Sequence, residues 1–267
     1  MARNTEWIKS SEAQKILKMD KGKFFYYVKA RDIRVKEGES ERKSLYSLAD
    51  IMRVKEELGI DDSPQTVIDW VKPSDVPATV ALDFLVYQEA IIADINHYLS
   101  WVKKNPYISL AAFDTNDRKT ALAYVAMLPL PENLIMKILK GERSEMDIQA
   151  DEIEEYNRPG AYTLLVESAV AHPEYPEQLG KVLRSLLAFW CEHHPERYID
   201  KIYAQSVSPE GDVLIQKLYF AARYDIAETA FMLDLRRPGA STFIKKFQEC
   251  LRIKEKQLQD RSKTATS

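Results

Sequence analysis

The residues best suited to do chemistry fall between Pro159 and Trp190, in the stretch PGAYTLLVESAVAHPEYPEQLGKVLRSLLAFW. A Pro-Gly turn opens it, and Tyr162 to Ala171 is rich in β-branched and small apolar side chains. His172 to Gln178 is polar, and from Gly180 the apolar residues Val182, Leu183, Leu186, Leu187 and Trp190 recur at helical spacing. That order predicts strand, loop and helix. The first N–H groups of a helix have no partner within it, and together with the macrodipole they favour an anion there. Lys181, near the helix start, adds a point charge suited to phosphate. Within the strand, period-two spacing puts Glu167 on one face with Ala169 and Ala171. A carboxylate there is either a general base for a substrate amine or a satisfied structural group. His172 is expected as a loop contact. Cys191, His193 and His194 end the helix before Pro195; with no further ligands at metal spacing, helix capping is expected and no metal.

The elements that must position this unit follow from the rest of the pattern. Phe84, Leu85, Gln88, Ile91, Ile92, Ile95, Leu99 and Val102 recur every three or four residues, predicting one long amphipathic helix that ends at Asn105-Pro106. Tyr107 to Phe113 and Ala121 to Leu128 read as a hairpin around Asp114-Thr-Asn-Asp117. A short helix carries Leu134, Ile135, Ile138 and Leu139. The acids after it (Glu142, Glu145, Asp147, Asp151, Glu152, Glu154 and Glu155) form either a solvated face or a pocket wall for a cation. Beyond Trp190 come a strand over 198–207, a helix over 212–222 and a strand over 226–235. The fold class is α/β (α+β), a layer with helices on both faces of a sheet. Ser241 can cap a C-terminal helix with Phe243, Ile244, Phe247, Leu251 and Leu258 as its stripe, and the tail from Asp260 is expected to be disordered.

Composition narrows the class. Of 267 residues 45% are hydrophobic and 30% charged, as expected for a chain with packed cores. There is neither an apolar run long enough to span a membrane nor the apolar core of a secretory leader, so no membrane partner is expected. Two cysteines make no disulfide framework, and a cytoplasmic location is expected. Charge is uneven: Met1 to Lys36 holds ten Lys/Arg against four Asp/Glu, a net of +6, and the remainder 28 against 37, a net of −9. A basic head on an acidic body points to a polyanion partner for the head alone.

In that head, Ser11-Glu-Ala-Gln14 fits a capping box opening a short helix. Asp20 fits the N-cap of a second, with Phe24, Tyr27 and Val28 facing inward. Two strands around Gly38 and a third helix capped within Ser47-Leu-Ala-Asp50 follow. On Ile8-Lys-Ser-Ser-Glu-Ala, Met19-Asp, Tyr26-Tyr27, Arg31-Asp-Ile and Leu45-Tyr-Ser-Leu-Ala-Asp50, the segment resembles the winged helix-turn-helix of MerR and excisionase-like families. The resemblance implies a DNA partner, met by Lys21, Lys23, Tyr26, Lys29, Arg31, Arg34, Arg42 and Lys43, and a homodimer. Glu37, Glu39 and Glu41 at the wing tip depart from it, since they repel phosphate.

The body, with Ala171-His-Pro173-Glu-Tyr175 and Asp212-Val-Leu-Ile215-Gln-Lys-Leu218-Tyr219, resembles the GNAT superfamily of N-acyltransferases. This implies a mixed sheet flanked by helices and an acetyl-CoA or acyl-CoA site at Ala169, Ala171, Gln178, Gly180 and Lys181. It also implies that Tyr219 protonates the leaving thiolate, with Glu167 as base. The loop departs from the family pattern at Pro176, which removes an N–H donor, and at Glu177, which adds a negative charge; Arg223-Tyr224 replaces the family's Gly-Phe.

The domain organisation expected is a winged helix-turn-helix over 1–58, a linker over 59–80, a GNAT-like body over 81–235, and a helix and tail over 236–267. The leading expectation is a DNA-binding, transcriptional-regulator-like protein whose body senses an effector or binds a partner with reduced or no catalysis. The alternatives are an active acyl-CoA-dependent N-acyltransferase and an interaction module with neither activity.

Overall fold

The structure, a computed structural model, describes residues 6–38, 44–59, 66–87, 94–115 and 118–265, with side chains to 258. The chain divides into two units, Met1–Ser63 and Pro64–Ser267.

In the first unit the elements are β1 (Trp7–Lys9), α1 (Ser10–Ile16), α2 (Lys21–Ala30), β2 (Val35–Lys36), β3 (Leu45–Ser47) and α3 (Leu48–Glu57). The strands form an antiparallel sheet in the order β1-β3-β2. Burial of Ile8, Ala13, Leu17, Phe24, Tyr46, Ile51 and Val54 makes the core, with Phe24 and Tyr46 edge to face at 4.9 Å. Asp20 caps α2 by accepting from the N–H of Lys23 at 2.9 Å, and Ser47 caps α3. The capping box expected at Ser11 is absent: Lys9 occupies the N-cap position, and Gln14 donates to Ser10 Oγ at 2.7 Å instead. The wing-tip residues Glu39 and Glu41 lie outside the described residues, as do Arg42 and Lys43.

The second unit is a mixed α/β fold. Its seven-stranded sheet runs in the order β4-β5-β6-β7-β8-β10-β9. The strands are β4 (Thr66–Trp70), β5 (Ser109–Asp114), β6 (Ala121–Pro129), β7 (Gly160–Ala171), β8 (Arg197–Gln205), β9 (Ala221–Ala222) and β10 (Ala230–Asp234). All neighbours are antiparallel except β7 and β8. Helices α4 (Val76–Tyr87), α5 (Ile95–Lys104) and α6 (Glu132–Leu139) pack on one face; α7 (Glu177–His193) and α9 (Thr242–Ala265) pack on the other, and α8 (Pro209–Leu218) follows β8. Every residue of β6 is buried, as its unbroken apolar run ALAYVAMLP requires of a strand covered on both faces.

Several expectations are corrected. The long helix expected over 84–105 is replaced by α4, which begins at Val76, and α5, which starts afresh at Asp94, whose backbone is not helical (ψ 132°) and whose carboxylate accepts from the N–H of Asn96; Gln88, Ile91 and Ile92 lie outside the described residues. From residue 66 the expected linker is β4, an edge strand whose ladder runs from Thr66 opposite Asp114 to Trp70 opposite Leu110, followed by α4. The helix expected to reach Ala222 stops at Leu218, because Tyr219 turns left-handed (φ 60°) and Ala221–Ala222 pairs with β10. The expected disordered tail is helical to Ala265. The two cysteines, expected unpaired, form a disulfide that joins α7 to α9 with their Cα atoms 6.1 Å apart.

Candidate functional site

Strand, loop and helix stand where the opening stretch predicts them: β7 ends at Ala171, and α7 begins at Glu177. The site is made by the way β7 and β8 part. Their parallel ladder runs only from Gly160 opposite Arg197 to Leu165 opposite Tyr203, while β7 continues to Ala171 and β8 to Gln205. A cavity of about 220 Å³ fills the opening. Val166 to Ala169 line it from β7, Ile202, Ala204 and Gln205 from β8, Leu183, Leu186 and Leu187 from α7, and Ile215 from α8. Asp83 and Tyr87 of α4 and Glu145 line it too, so the cavity is walled from both faces of the sheet.

A bulge aims the chemistry. Opposite β6 the register shifts, with Ser168 paired to Ala126 and Val166 to Met127, leaving Glu167 as the extra residue. Period-two alternation therefore breaks at the carboxylate. Ala169 and Ala171 pack with the α7 face, whereas Glu167 lies with Asp83 and Glu145 beside α4. The shared face expected for Glu167, Ala169 and Ala171 is corrected on this ground: the bulge turns Glu167 away from the alanines.

The electrostatics follow from burial. Glu167 Oε2 is enclosed and has no hydrogen-bond partner among the described residues. Burial, then the charges of Asp83 and Glu145, hold its pKa well above the usual carboxylate range. Burial likewise pushes Asp83 up to about 6, against the lowering effect of hydrogen bonds from Tyr124 and Ser168. Burial alone pushes Glu145 up to about 7, and Tyr87 rises to about 12 chiefly for the same reason. A carboxyl that keeps its proton near neutrality and can release it is suited to proton transfer.

The other predicted residues are more scattered. Ala169 lines the cavity and Ala171 does not. At the start of α7, Pro176 occupies the N-cap position in helical conformation, and no side chain caps the helix. The loop before it closes on itself, with Tyr175 N–H donating to His172 O at 2.8 Å and Gln178 N–H to Tyr175 O at 3.1 Å. Gln178 is fully buried; its Nε2 donates to Glu177 at 2.9 Å and its Oε1 has no partner among the described residues. Gly180 lies beside the Arg184 guanidinium, 3.6 Å from where a Cβ would stand, and Lys181 is half-buried. Tyr219 is exposed and does not line the cavity, although Leu218 and Phe220 on either side of it do.

His172 makes the expected loop contact, its Nδ1 accepting from the N–H of Glu174 at 3.2 Å, and His193 sits against the carbonyl of Phe189 near the end of α7. Among the described residues no cluster of His, Cys, Asp or Glu is arranged to hold a metal, and no helix is long and apolar enough to cross a membrane.

In the first unit Lys21, Lys23, Tyr26 and Lys29 are exposed on α2, while Phe24 on the same helix is buried. Arg31 and Arg34 are also exposed but already engaged, with Glu57 at 3.0 Å and with Asp50 at 2.7 Å.

Sequence reasoning missed Asp83, Tyr87, Tyr124 and Ser168. The one signal for Asp83 was an isolated acid in the apolar run VPATVALDFLVY. Glu145 did stand in the acidic stretch for which a pocket wall was one of the two readings.

No family model and no curated protein matches this sequence. Among solved structures the chain is similar to the GphF GNAT-like decarboxylase in complex with isobutyryl-CoA, at 12% identity and a TM-score of 0.42, covering 62% of this chain and 96% of that one. It is similar to Ard1 from Thermoplasma volcanium at 7% identity and a TM-score of 0.40, covering 62% and 94%. It is similar to the loading GNATL domain of CurA from Lyngbya majuscula at 12% identity and a TM-score of 0.37, covering 53% of this chain and 64% of that domain, under two thirds of its length.

Proposed function

We propose that the second unit transfers an acyl group from an acyl-CoA thioester to an amine, in the wedge between β7 and β8. The observation that carries this reading is the placement of Glu167, a buried carboxyl whose Oε2 has no hydrogen-bond partner among the described residues, at a bulge beside the point where two parallel strands part around a cavity. An extended thioester arm fits such an opening, because past Leu165 the β7 backbone loses its β8 partner and is free to pair with a ligand. Once ionised, Glu167 takes one proton from the acceptor ammonium; the freed amine attacks the thioester carbonyl, and as the C–S bond breaks the extra proton on the attacking nitrogen passes to the departing sulfur, which leaves as a thiol. The uncapped start of α7 and Lys181 suit a diphosphate, and Glu177 opposes it. The buried acids favour catalysis over the expectation of a body with reduced activity. Titration with acetyl-CoA tests the reading: binding in the micromolar range is expected, and no binding at millimolar concentration overturns it.

A second reading concerns the first unit, which we propose docks on DNA. The exposed Lys21, Lys23, Tyr26 and Lys29 on α2 support it, since basic side chains on one helix can neutralise phosphates. Binding should fall steeply with salt and weaken in the Lys21→Glu, Lys23→Glu double variant. Retention on DNA that is absent at low salt sinks it.

A further inference from the structure

The second unit carries a covalent tie that the proposed reaction does not use. Helix α9 lies against α7, and its first turn helps to wall the cavity through Phe243 and Ile244. Midway along, Cys250 is bonded to Cys191 of α7, 59 residues earlier in the chain. Further out Glu255 meets His194 Nε2 at 2.9 Å, with the carboxylate half-exposed. Ile253 and Leu258 on the same helix are exposed.

We infer that α9 is a redox-latched lid: the Cys191–Cys250 disulfide holds it closed over the wedge, and reduction lets it swing out and admit ligand. The acyl-transfer reading supplies only the identity of that ligand. Three features support a lid. The residues of α9 that reach the cavity are apolar and compete for the same surface of α7, Leu183 to Leu187, that a ligand arm in the wedge must contact. Without the disulfide, the anchors of α9 all lie between Phe243 and Leu251: Ile244 and Phe247 are buried, Phe243 and Leu251 pack beside them, and Gln248 bonds the backbone of Leu235, Arg237 and Gly239. Finally, a cross-link spanning 59 residues removes much of the freedom the helix would gain on undocking.

The redox step needs a dithiol reductant. One thiolate attacks Cys250 Sγ, the half-exposed partner, and the Sγ–Sγ bond breaks to release the Cys191 thiolate, which takes a proton. The second thiol of the reductant then displaces Cys250, which leaves as a thiol. Two electrons and two protons pass to the protein, and the reductant becomes a cyclic disulfide.

The test uses the full chain, air-oxidised or reduced with dithiothreitol, and reads amide exchange over 242–258 beside binding of acetyl-CoA and of a naphthalene-sulfonate dye. Reduction is expected to speed exchange across α9 about tenfold and to tighten ligand or dye binding by a similar factor, as local opening does. Cys250→Ser should behave as the reduced protein without reductant and ignore dithiothreitol; Cys191→Ser serves if that variant fails to fold. Equal exchange and equal binding in both redox states overturn the lid. Dye entry that follows redox state while acetyl-CoA binds in neither keeps the lid and removes the acyl-transfer reading. Acetyl-CoA binding that is equal in both states does the reverse.

Discussion

Tyr124 donates its phenolic hydrogen to one carboxyl oxygen of Asp83, and Ser168 donates to the other at 3.2 Å. All three side chains are buried, so a β-strand of the central hairpin, the bulged strand β7 and helix α4 are joined by these two hydrogen bonds, beside the Glu167 carboxyl. Hydrogen bonds to a carboxylate normally lower its pKa, but here burial outweighs them and leaves Asp83 near 6.

This predicts a falling stability as pH rises. A carboxyl raised above its unfolded value binds its proton more tightly in the folded state, so its contribution is complete below about pH 4 and is lost as pH climbs through about 6. The loss amounts to about 3 kcal/mol at the two-unit scale of that shift, shared in part with Glu167. Asp83→Asn keeps an acceptor for Tyr124 and cannot ionise. Urea midpoints measured from pH 4 to pH 8 should therefore slope less in the variant, which should exceed the parent at pH 8. A parallel slope in both proteins places the titration elsewhere.

The Glu167 carboxyl has the opposite consequence for rate. It accepts a proton only when ionised, so activity toward an amine should climb with pH as its elevated pKa is passed. Glu167→Gln should lower kcat by about 10² to 10⁴ and remove that rising limb, with little change in KM for the thioester. A variant that retains the limb assigns the base to Asp83 or Glu145.

Much of the site's frame was legible in the sequence, because β7, its loop and α7 obey local rules: a Pro-Gly turn, a β-branched run, then apolar residues at helical spacing. What escaped has a physical cause in each case. Strict alternation put Glu167 beside Ala169 and Ala171, and the register shift opposite Ala126 and Met127 reversed it; a bulge is set by the partner strand and leaves no mark in β7 alone. Thr66 to Trp70 looked like linker because prolines bracket it, yet its pairing with β5 decides its state. The cysteines stand 59 residues apart, and only the packing of α9 on α7 brings them together. Asp94 was passed over as an N-cap because the apolar spacing runs smoothly across it.

Arg118 provides a third test. Its backbone is left-handed (φ 52°), and its guanidinium donates to Asp69 at 2.8 Å, Asp75 at 2.8 Å and the carbonyl of Trp70 at 3.1 Å, closing the β5–β6 loop onto β4. Asp75 is nearly buried, so removing its partner strands a charge. Arg118→Ala should cost about 2–4 kcal/mol by urea unfolding. Arg118→Lys should recover less than half of it, because an ammonium cannot span the three acceptors. Full rescue by lysine means that charge alone matters there.

The start of α9 rests on a close approach at Gly239. A Cβ there would stand 2.9 Å from Ile244 Cβ and closer still to its γ-methyl, at a point where Gln248 also holds the Gly239 N–H at 2.8 Å and the Arg237 carbonyl at 2.6 Å. Because Ile244 is buried and lines the cavity, it cannot yield without moving the helix. Gly239→Ala should therefore destabilise the protein by about 1–3 kcal/mol, the usual cost of overpacking. In an Ile244→Ala background the closest atom, the γ-methyl, is gone while the Cβ contact stays, so the added cost of Gly239→Ala should shrink only in part, giving a coupling of about 0.5–1 kcal/mol in a double-mutant cycle. Thermal or urea unfolding of the four proteins measures it. Additive losses mean that Gly239 is required for some reason other than contact with Ile244.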